Sequence, residues 1–546
     1  MSQPVTFNEV NKDKVKNRKI SRIPFDQMPA LSHKDVFYQT RYSDLGEFIS
    51  FEPTLDGLMQ AVQTRKNFPV DRQTMVEVLT DQYQQTGLTS EQQIHIKKLA
   101  SENTFTIVTA HQPSLLGGPG YYFYKIYSAI HLAKLLQKAM PDCHFVPVFI
   151  NGAEDHDFDE IKSVHLFGKT VTWNSENSGP VGRFPLDNLT EAVQEMTTIL
   201  GNSPKATYLT NVWSAALQAS SSYNEFVHYW VNDFFKEYGL IVLNMDDVRL
   251  KKNFIPVMER ELVNQISEPL VQATQVKLES FDFKPQAHAR PINLFYISGQ
   301  SRERIIHEDN HYLVNNTELQ FGEAEIIAEL HRHPERFSPN VVIRPLYEEF
   351  TLPNLAYIGG GGELAYWLER KSQFEAFDVF FPVLIRRNSV MIIPSNLQKS
   401  MEKLQLTEMD LLMDEDPLIE KFLQQSDNPN FELKKESKEI LGIFHTIAEK
   451  AKSIDPTLEA AVLGEAQKTL KSVENIETRL KRSLKQKEEV QINQLRNLKA
   501  KLFPNNGLQE RAESFLQFWI REDDEFDHFM IDQLNPLEKS FLFIYL

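Results

Sequence analysis

The chain has 546 residues, of which 41% are hydrophobic and 24% charged, and its 75 acidic against 58 basic residues give a net charge of −17. This length exceeds a single ordinary hydrophobic core, and the composition is that of a globular protein built from several structural units. The acidic balance disfavours broad contact with tRNA or duplex nucleic acid, which requires a concentrated basic surface.

Cysteine usage and hydropathy exclude two further classes of protein. Cys143 is the only cysteine, so neither an internal disulfide nor a cysteine-rich zinc site can form. Residues 1–19 contain no apolar signal-peptide core, and no run of about 18 apolar residues occurs anywhere. We therefore expect a cytoplasmic protein that does not span a membrane and whose apolar last residues, FLFIYL, pack on its own core.

Residues 1–100 are expected to form a helical segment that packs on the core. Residues 56–68, 72–87 and 89–101 carry apolar side chains at helical spacing. Thr89 or Ser90 is a suitable N-cap for the last of these helices.

Residues 101–395 carry the signals of a parallel α/β sheet. A buried strand at 105–110, a Gly/Pro-rich loop, a long helix and a second strand at 144–150 make a βαβ unit. Further strands are predicted at 239–244, 340–345, 379–385 and 389–393. The stretches near 173–235 and 250–335 do not fit a minimal core and are interpreted as insertions. The predicted fold is α/β, with a Rossmann-like doubly wound parallel sheet.

Residues 396–546 are expected to form a helical C-terminal region. Proline is absent between Pro456 and Pro504, and the spacing of apolar residues predicts a helix of roughly forty residues with a coiled-coil seam. The seam residues are Val473, Ile476, Leu480, Leu484, Leu495, Leu498 and Leu502. A helix at 433–452 is expected to fold back as its partner, giving an antiparallel coiled coil at about 433–502. The alternative is one long amphipathic helix lying on the sheet domain.

The first candidate for a functional segment follows the first strand. His111–Gly120 opens a helix at the carboxyl edge of the sheet, where backbone N–H groups and the helix dipole meet ligands. Its spacing is neither GxGxxG nor that of a P-loop, so no standard nucleotide site is indicated, and a structural turn is the alternative. The candidate substrate-binding residues are His111, Gln112, Gly117, Gly118, Gly120, Tyr122 and Lys125.

The second candidate is the acidic run Glu154–Glu160, which follows the second strand. Its five carboxylates repel one another unless a cationic amine, Mg²⁺ or a neighbouring basic side chain offsets them. A solvated helix start and a metal site are the alternatives to substrate recognition. The candidate catalytic residues are Asp155, His156 and Asp157.

Two later segments are predicted to reach the same edge of the sheet. Residues 355–367 combine a strand, four glycines and a helix start, which makes a second backbone cradle. Arg344 and the pair Arg386–Arg387 suit bidentate binding of an anion, although Arg386 and Arg387 equally suit neutralising nearby acids. The substrate-binding candidates here are Arg344, Tyr357, Gly359, Gly360, Gly361, Gly362, Glu363, Trp367, Arg386, Asn388 and Ser389.

Four segments together resemble the signature blocks of the BshC family, the cysteine-adding enzymes of bacillithiol synthesis. They are residues 109–130, 147–161, 344–367 and 502–511, in the order of that family. The resemblance covers essentially the whole chain. It implies a Rossmann-type core with connecting-peptide insertions and a C-terminal coiled coil that forms a homodimer.

The resemblance also implies a reaction: a ligase joins the carboxyl group of cysteine to the amine of glucosaminyl-malate, the last step of bacillithiol biosynthesis. The expected partners are these small molecules, with no nucleic acid and no membrane. If ATP activates the cysteine, its phosphates are expected at the glycine loops, with Lys125 or Arg386 offsetting charge. Asp155 or Asp157 would accept the proton of the amine, and Arg344 would bind the malate carboxylates.

No zinc is expected, because related sites that hold a cysteine substrate on zinc use cysteine ligands. The second possible function is a synthetase-derived nucleotide-binding or scaffold protein without ligase activity. A tRNA-charging enzyme is disfavoured by the net charge of −17.

Overall fold

A computed structural model describes residues 18–425 and 432–546, so the sequence-based expectations for residues 1–17 and 426–431 lie outside the described residues. The chain forms two compact units. One comprises the described residues up to Ile392 together with Gly507–Leu546, and the other is Ile393–Asn506. The predicted C-terminal region, 396–546, is therefore divided, because its last part belongs to the unit that holds the sheet.

The strands of the described residues are β1 Ile20–Pro24, β2 Thr104–His111, β3 His144–Asn151, β4 Ser163–Leu166, β5 Lys169–Thr172, β6 Ile241–Asn244, β7 Leu294–Ser298, β8 Ser301–Glu308, β9 His311–Val314, β10 Gln320–Phe321, β11 Phe337–Pro339, β12 Asn354–Gly359, β13 Val383–Arg386, β14 Ser389–Ile393 and β15 Ser540–Tyr545.

The α-helices are α1 His33–Arg41, α2 Leu55–Arg65, α3 Arg72–Gln82, α4 Ser90–Leu99, α5 Tyr121–Ala139, α6 Phe158–Ile161, α7 Leu189–Leu200, α8 Pro204–Ala219, α9 Tyr223–Phe235, α10 Val248–Asn264, α11 Ser267–Glu279, α12 Glu323–Arg332, α13 Arg344–Thr351, α14 Gly361–Leu368, α15 Lys371–Phe377, α16 Ser395–Lys403, α17 Glu408–Leu411, α18 Glu415–Gln425, α19 Lys434–Ile454, α20 Leu458–Lys487, α21 Glu489–Leu502, α22 Gln509–Ala512, α23 Leu516–Trp519 and α24 Phe526–Gln533.

The central sheet has five parallel strands in the order β13-β12-β2-β3-β6. Numbered along the chain, the strands follow the order fifth, fourth, first, second, third, which matches the first five strands of the Rossmann order. From β2 the chain adds β3 and β6 on one side, and it then returns to add β12 and β13 on the other side of β2. The order of strands therefore reverses between β2 and β12. Ligands of such sheets bind in the crevice outside the carboxyl ends of the strands at this point.

The sheet is buried on both faces, as an all-parallel sheet requires. In β2, Phe105 and Ile107 pack into one hydrophobic cluster, while Val108 packs into another on the opposite face. β3 repeats this alternation, with Phe145 on one face and Val146 on the other. The two-residue period of the side chains thus fixes the register of both strands.

The N-terminal helices form as the sequence predicts. α2, α3 and α4 occupy the predicted segments, and Thr89 caps α4 by accepting a hydrogen bond from the backbone N–H of Gln92. The Gln92 side chain accepts from the N–H of Thr89 in return, which completes a capping box. Hydrophobic residues of α3 and α4 share a core cluster with β2 and β3.

Two insertions interrupt the sheet. The first lies between β3 and β6 and contains the β4–β5 hairpin and helices α7–α9. The second lies between β6 and β12 and contains a five-stranded sheet in the order β10-β9-β8-β7-β11.

One predicted strand is wrong: residues 340–345 form a turn and the start of α13. The side chain of Asn340 accepts hydrogen bonds from the N–H groups of Val342 and Ile343, which bends the chain. Pro345 then occupies the first turn of the helix, where its missing N–H is no loss. These local signals outweigh the β-preference of the Val-Val-Ile run.

β14 does not join the parallel sheet. It belongs to a three-stranded sheet in the order β1-β15-β14, in which the C-terminal strand lies between the other two. β1 and β15 are antiparallel, with Ile20 opposite Ile544. The apolar C-terminus therefore packs on the core, as expected.

The second unit is helical. α19 and α20 are joined by a short connection around Pro456 and pack against each other. The predicted forty-residue helix is instead two helices, because the chain leaves the helical conformation at Glu488. α21 packs against α16 and α18. The antiparallel pair is thus α19–α20, and Leu495, Leu498 and Leu502 are buried in other contacts of this unit.

Candidate functional site

A cavity of about 660 Å³ lies at the carboxyl edge of the sheet, beside the ends of the neighbouring strands β2 and β12. Its walls come from the ends of β2 and β3, the start of α14, the helix α13 and the β7–β8 hairpin of the second insertion. The size and position are those expected of a small-molecule site in a doubly wound fold.

The ends of β2 and β3 are joined across the cavity floor by Gln112. Its side-chain amide donates to Asp155 Oδ2 at 2.7 Å and to Glu160 Oε2 at 3.0 Å. Pro113 follows and cannot continue the strand ladder, so Gln112 is free to turn toward the acidic run. The two segments that the sequence places at one edge therefore meet directly.

His111 is a neutral hydrogen-bonding group. Its Nδ1 lies 2.8 Å from the carbonyl oxygen of Gln112, which only accepts, so Nδ1 carries the proton and Nε2 accepts from the Tyr121 hydroxyl at 3.1 Å. Burial, reinforced by the charge of Lys125, lowers the pKa of His111 to about 4. At neutral pH this ring adds no charge to the cavity.

Asp155 is held in its ionised form. Burial opposes the charge, but the bond from Gln112, the backbone N–H groups of His156 and Asp157, and the nearby Arg302 together bring the pKa of Asp155 below its usual value. Its side chain remains 38% exposed. Asp155 thus offers a charged carboxylate to a ligand in the cavity.

His156 contacts an arginine from the second insertion. Arg302 donates from Nη1 to His156 Nδ1 at 2.8 Å, which leaves the imidazole neutral with its proton on Nε2. Burial and the charge of Arg302 both lower the pKa of His156. The other guanidinium donors of Arg302 bind Ser338 and the carbonyl of Pro339, so the side chain is rigidly placed.

A buried ion network lies behind the acidic run. Glu154 accepts from Arg344 at 2.6 Å with one oxygen and pairs with Lys251 at 2.6 Å with the other. Lys251 also pairs with Asp246 at 2.9 Å, and Asp246 binds Arg183. Arg344 is therefore held in the cavity wall by Glu154, which lies outside the cavity lining.

The second glycine loop faces the cavity. Gly360 and Gly362 line it, as do Tyr357 and Glu363. Glu363 accepts from Lys125 at 2.6 Å, from the Tyr357 hydroxyl at 3.1 Å and from the N–H of Gly360 at 2.7 Å. Although burial alone raises it, these contacts bring the pKa of Glu363 below its ordinary value.

The glycines of the first loop, Gly117, Gly118 and Gly120, do not line the cavity. Gly117 and Gly118 have φ angles of 89° and 54°, and a Cβ at either would lie 2.7 Å from atoms of Phe123 or Ser114. Gly120, Tyr122 and Lys125 are also outside the cavity lining. This segment is a tight turn packed on α5, so the structure does not support the predicted phosphate cradle there.

The structure also places other predicted residues away from the cavity. Arg386 is buried, and its guanidinium donates to Asp35, to Ser389 and to the carbonyl of Arg387. Asn388 bonds Ser128 and the carbonyl of Asn535. Those that lie outside its lining are Asp157, Gly359, Gly361, Trp367, Arg386, Asn388 and Ser389.

Several cavity residues have no counterpart in the sequence predictions. They come mainly from the second insertion and from the segment that follows the helical unit. The additional charged or titratable residues that line the cavity are His288, Arg290, Arg302, Arg304, Glu348, Arg511, Tyr121 and Tyr366. The Arg-Arg motif does contribute, but through Arg387, which pairs with Glu510 at 2.8 Å.

In residues 18–425 and 432–546, no group of three or more His, Cys, Asp or Glu side chains is placed to hold a metal ion. Among the helices of the same residues, none is both long and apolar enough to cross a membrane. Cys143 precedes β3 and lies outside the cavity lining.

Comparison with known proteins agrees with this architecture. Residues 19–388 match the family model described as the N-terminal Rossmann-like domain of bacillithiol biosynthesis BshC, and residues 390–546 match its C-terminal coiled-coil domain.

Three relatives named "Putative cysteine ligase BshC" illustrate the range of similarity. The protein from Flavobacterium johnsoniae is 37% identical over 92% of this chain and 95% of its own length. That from Christiangramia forsetii is 35% identical over 92% and 95%, and that from Bacillus cereus 29% identical over 87% and 91%. The chain belongs to the BshC family of bacillithiol biosynthesis.

Proposed function

We propose that this chain is a ligase that joins the carboxyl group of cysteine to the amine of glucosaminyl-malate, the last step of bacillithiol biosynthesis. The observation that supports it best is that one cavity holds an ionised carboxylate, Asp155, and several arginines. Glucosaminyl-malate carries an amine and two carboxylates, so it needs both signs of charge in one site.

The amine fits the side of the cavity formed by Asp155. Its carboxylate stays ionised and suits a cationic ammonium group, which it would orient by a charge-assisted hydrogen bond. A carboxylate stabilised in this way is a weak base. We therefore assign Asp155 to binding and orientation of the amine.

The malate carboxylates fit the arginines that the protein leaves free. Arg290, Arg304 and Arg511 line the cavity, and their guanidinium groups form no hydrogen bond or ion pair with any described residue. Arg344, the residue expected from the sequence, already binds Glu154 and the carbonyl of Pro339. We assign the carboxylates to the three free guanidinium groups, with Arg344 shaping the wall.

Activation of the cysteine carboxyl is assigned to ATP. The N-terminus of α14 and the guanidinium of Arg387 lie at the cavity and suit a polyanion. The residues that would hold the phosphates are Gly362 and Arg387, because the N–H of Gly360 already donates to Glu363. ATP would supply the phosphate leaving group that an unactivated carboxylate lacks.

The test is product formation by purified full-length protein. We expect incubation with cysteine, glucosaminyl-malate and ATP to give bacillithiol together with AMP or ADP, measured by mass spectrometry. Nucleotide binding without product under these conditions would instead support the binding or scaffold function.

A matched pair of variants tests the amine site. Asp155→Asn keeps the shape but removes the charge, and we expect a loss of product by about 100-fold or more with an unchanged thermal transition. Asp159→Asn changes an exposed residue of the same acidic run, which pairs with Lys162, and should retain activity. Undiminished product from Asp155→Asn would remove Asp155 from the site.

We also propose that the helical unit forms the homodimer. Ile443 and Ile447 on α19 are 60% and 45% exposed, and Ile476 and Leu480 on α20 are 51% and 43% exposed. Each pair lies one helical turn apart, so each makes an apolar stripe that a second copy would cover.

Light scattering after gel filtration tests this interface. We expect a dimer for the wild type and a monomer for Ile443→Lys/Ile447→Lys. Ile94→Lys, at an exposed apolar position on α4, should remain a dimer. A monomeric wild type would contradict the proposal.

A further inference from the structure

Glu348 is a buried acid in the cavity wall. It lies on α13, one turn after Arg344, and both side chains line the cavity. The residue is only 4% exposed, and its Oε2 atom has no hydrogen-bond partner among the described residues. An unpartnered carboxyl oxygen in such a place is costly to bury unless a ligand or a proton occupies it.

The other carboxylates of the cavity lining are already engaged. Asp155 accepts from Gln112 and from two backbone N–H groups. Glu363 accepts from Lys125, Tyr357 and Gly360. Of the three carboxylates that line the cavity in the described residues, Glu348 is the one with an oxygen that accepts no hydrogen bond from the protein.

The surroundings of Glu348 disfavour a permanent negative charge. Burial raises its pKa to about 8, with Glu363 adding to the rise and Arg344 and Lys125 opposing it. The charged and titratable groups around it are Arg344 and Glu349 on α13, Lys125 on α5, Tyr357 on β12, and Glu363 and Tyr366 on α14. A group that gains and loses a proton near the working pH is suited to proton transfer.

We propose that Glu348 is the general base of the ligation: its carboxylate takes a proton from the ammonium group of the acceptor substrate. This role rests on the proposed function. An N–H bond of the ammonium breaks and an O–H bond forms on Glu348. The freed nitrogen lone pair attacks a cysteine carboxyl activated as a mixed anhydride with phosphate, and the C–N bond forms. The phosphate group leaves with the electron pair of its C–O bond and takes up the second proton of the nitrogen, which leaves a neutral amide.

The adjacent residue supplies a matched control. Glu349 is also buried, and its pKa is likewise raised to about 8 by burial. However, Glu349 lies outside the cavity lining and accepts from the side-chain amide of Asn354 at 2.6 Å. Glu348→Gln and Glu349→Gln therefore each remove one buried ionisable group. Only Glu348 lines the cavity in which the substrate would bind.

The experiment measures kcat and KM from pH 6 to 9.5 for both variants and the wild type, with cysteine, glucosaminyl-malate and ATP. For the wild type, kcat should rise with pH and level off above the pKa of Glu348, since only the carboxylate accepts the proton. Glu348→Gln should lower kcat by about 100-fold or more and lose this rise, with KM for glucosaminyl-malate little changed. Glu349→Gln should keep both the rate and the profile.

A second variant keeps the test decisive if Glu348→Gln folds poorly. Glu348→Asp retains a carboxylate on a shorter side chain and should recover part of the rate together with a pH-dependent kcat. A Glu348→Gln enzyme with wild-type kcat and profile would overturn the role of Glu348 alone. A wild-type protein that forms no product overturns the proposed function and this role with it.

Discussion

The two glycine-rich loops look alike in the sequence but differ in the folded protein. Each follows a strand of the parallel sheet and opens a helix at its carboxyl edge. Gly117 and Gly118 pack under the side chains of Phe123 and Ser114, whereas Gly360 and Gly362 open onto the cavity. A glycine run thus shows that the backbone needs room, and only the structure shows whether a side chain or a ligand fills it.

Lys125 joins the two loops, because it begins on the helix after the first loop and reaches Glu363 in the second. Its side chain is fully buried and also donates to the carbonyl of Ala110. We expect Lys125→Met to lower the free energy of unfolding by about 3–5 kcal/mol, since Glu363 loses its partner. Urea unfolding checks this.

The double variant Lys125→Met/Glu363→Gln separates the ion pair from packing. If the pair holds the loops together, the double variant should be more stable than Lys125→Met alone. If the double variant and Lys125→Met are equally stable, Lys125 stabilises the protein through packing, and its ion pair with Glu363 does not hold the two loops together.

Within the second loop, Gly361 has a structural role, in contrast to Gly360 and Gly362, which line the cavity. A Cβ there would lie 1.9 Å from Asp35 Oδ1, and Asp35 is the buried partner of Arg386 at 2.8 Å. We expect Gly361→Ala to cost up to about 3 kcal/mol of folding free energy. A thermal transition equal to that of the wild type would show that α1 moves aside without cost.

Gly117 makes the corresponding test in the first loop. With φ at 89° and the Phe123 ring in the way, Gly117→Ala should destabilise the protein by about 2 kcal/mol. Because Gly117 does not line the cavity, KM for both substrates should stay unchanged in the folded enzyme. A large increase in KM would return the first loop to the binding site.

Gly362 should behave in the opposite way and gives the smallest effect on the fold. Nothing lies within 4 Å of a Cβ at this position, so Gly362→Ala should leave the thermal transition unchanged. The added methyl group enters the cavity and should raise KM for ATP by on the order of tenfold. Unaltered kinetics would place the phosphates elsewhere.

Much of the fold is readable from the sequence because local signals and tertiary structure agree. The runs at 105–110 and 144–150 are strands, and Thr89 caps its helix through a capping box. The pattern fails where another contact overrides it. Asn340 turns a Val-Val-Ile run into a helix start, and the helix break at Glu488 has no proline or glycine to announce it.

The site is readable in part for the same reason. His111, Gln112 and Asp155 lie at strand ends of one sheet edge, so topology alone brings them together. Arg304 and Arg511 come from an insertion and from the far end of the chain, and an arginine on an exposed strand carries no local mark of function. The sequence does not point to Glu348, because residues 340–345 are wrongly predicted to form a strand. That prediction places Glu348 after the end of the strand, whereas it lies on α13 and lines the cavity.

The sheet formed by β1, β15 and β14 can form only after all three strands have been synthesised. Its middle strand, β15, comes last of the three along the chain, so a nascent chain cannot close this sheet until residues 540–545 have been synthesised. Arg511, which contributes to the cavity, also emerges late. A truncation that removes β15 therefore leaves this sheet open, and variants that keep β15 intact should give the higher yield of active protein.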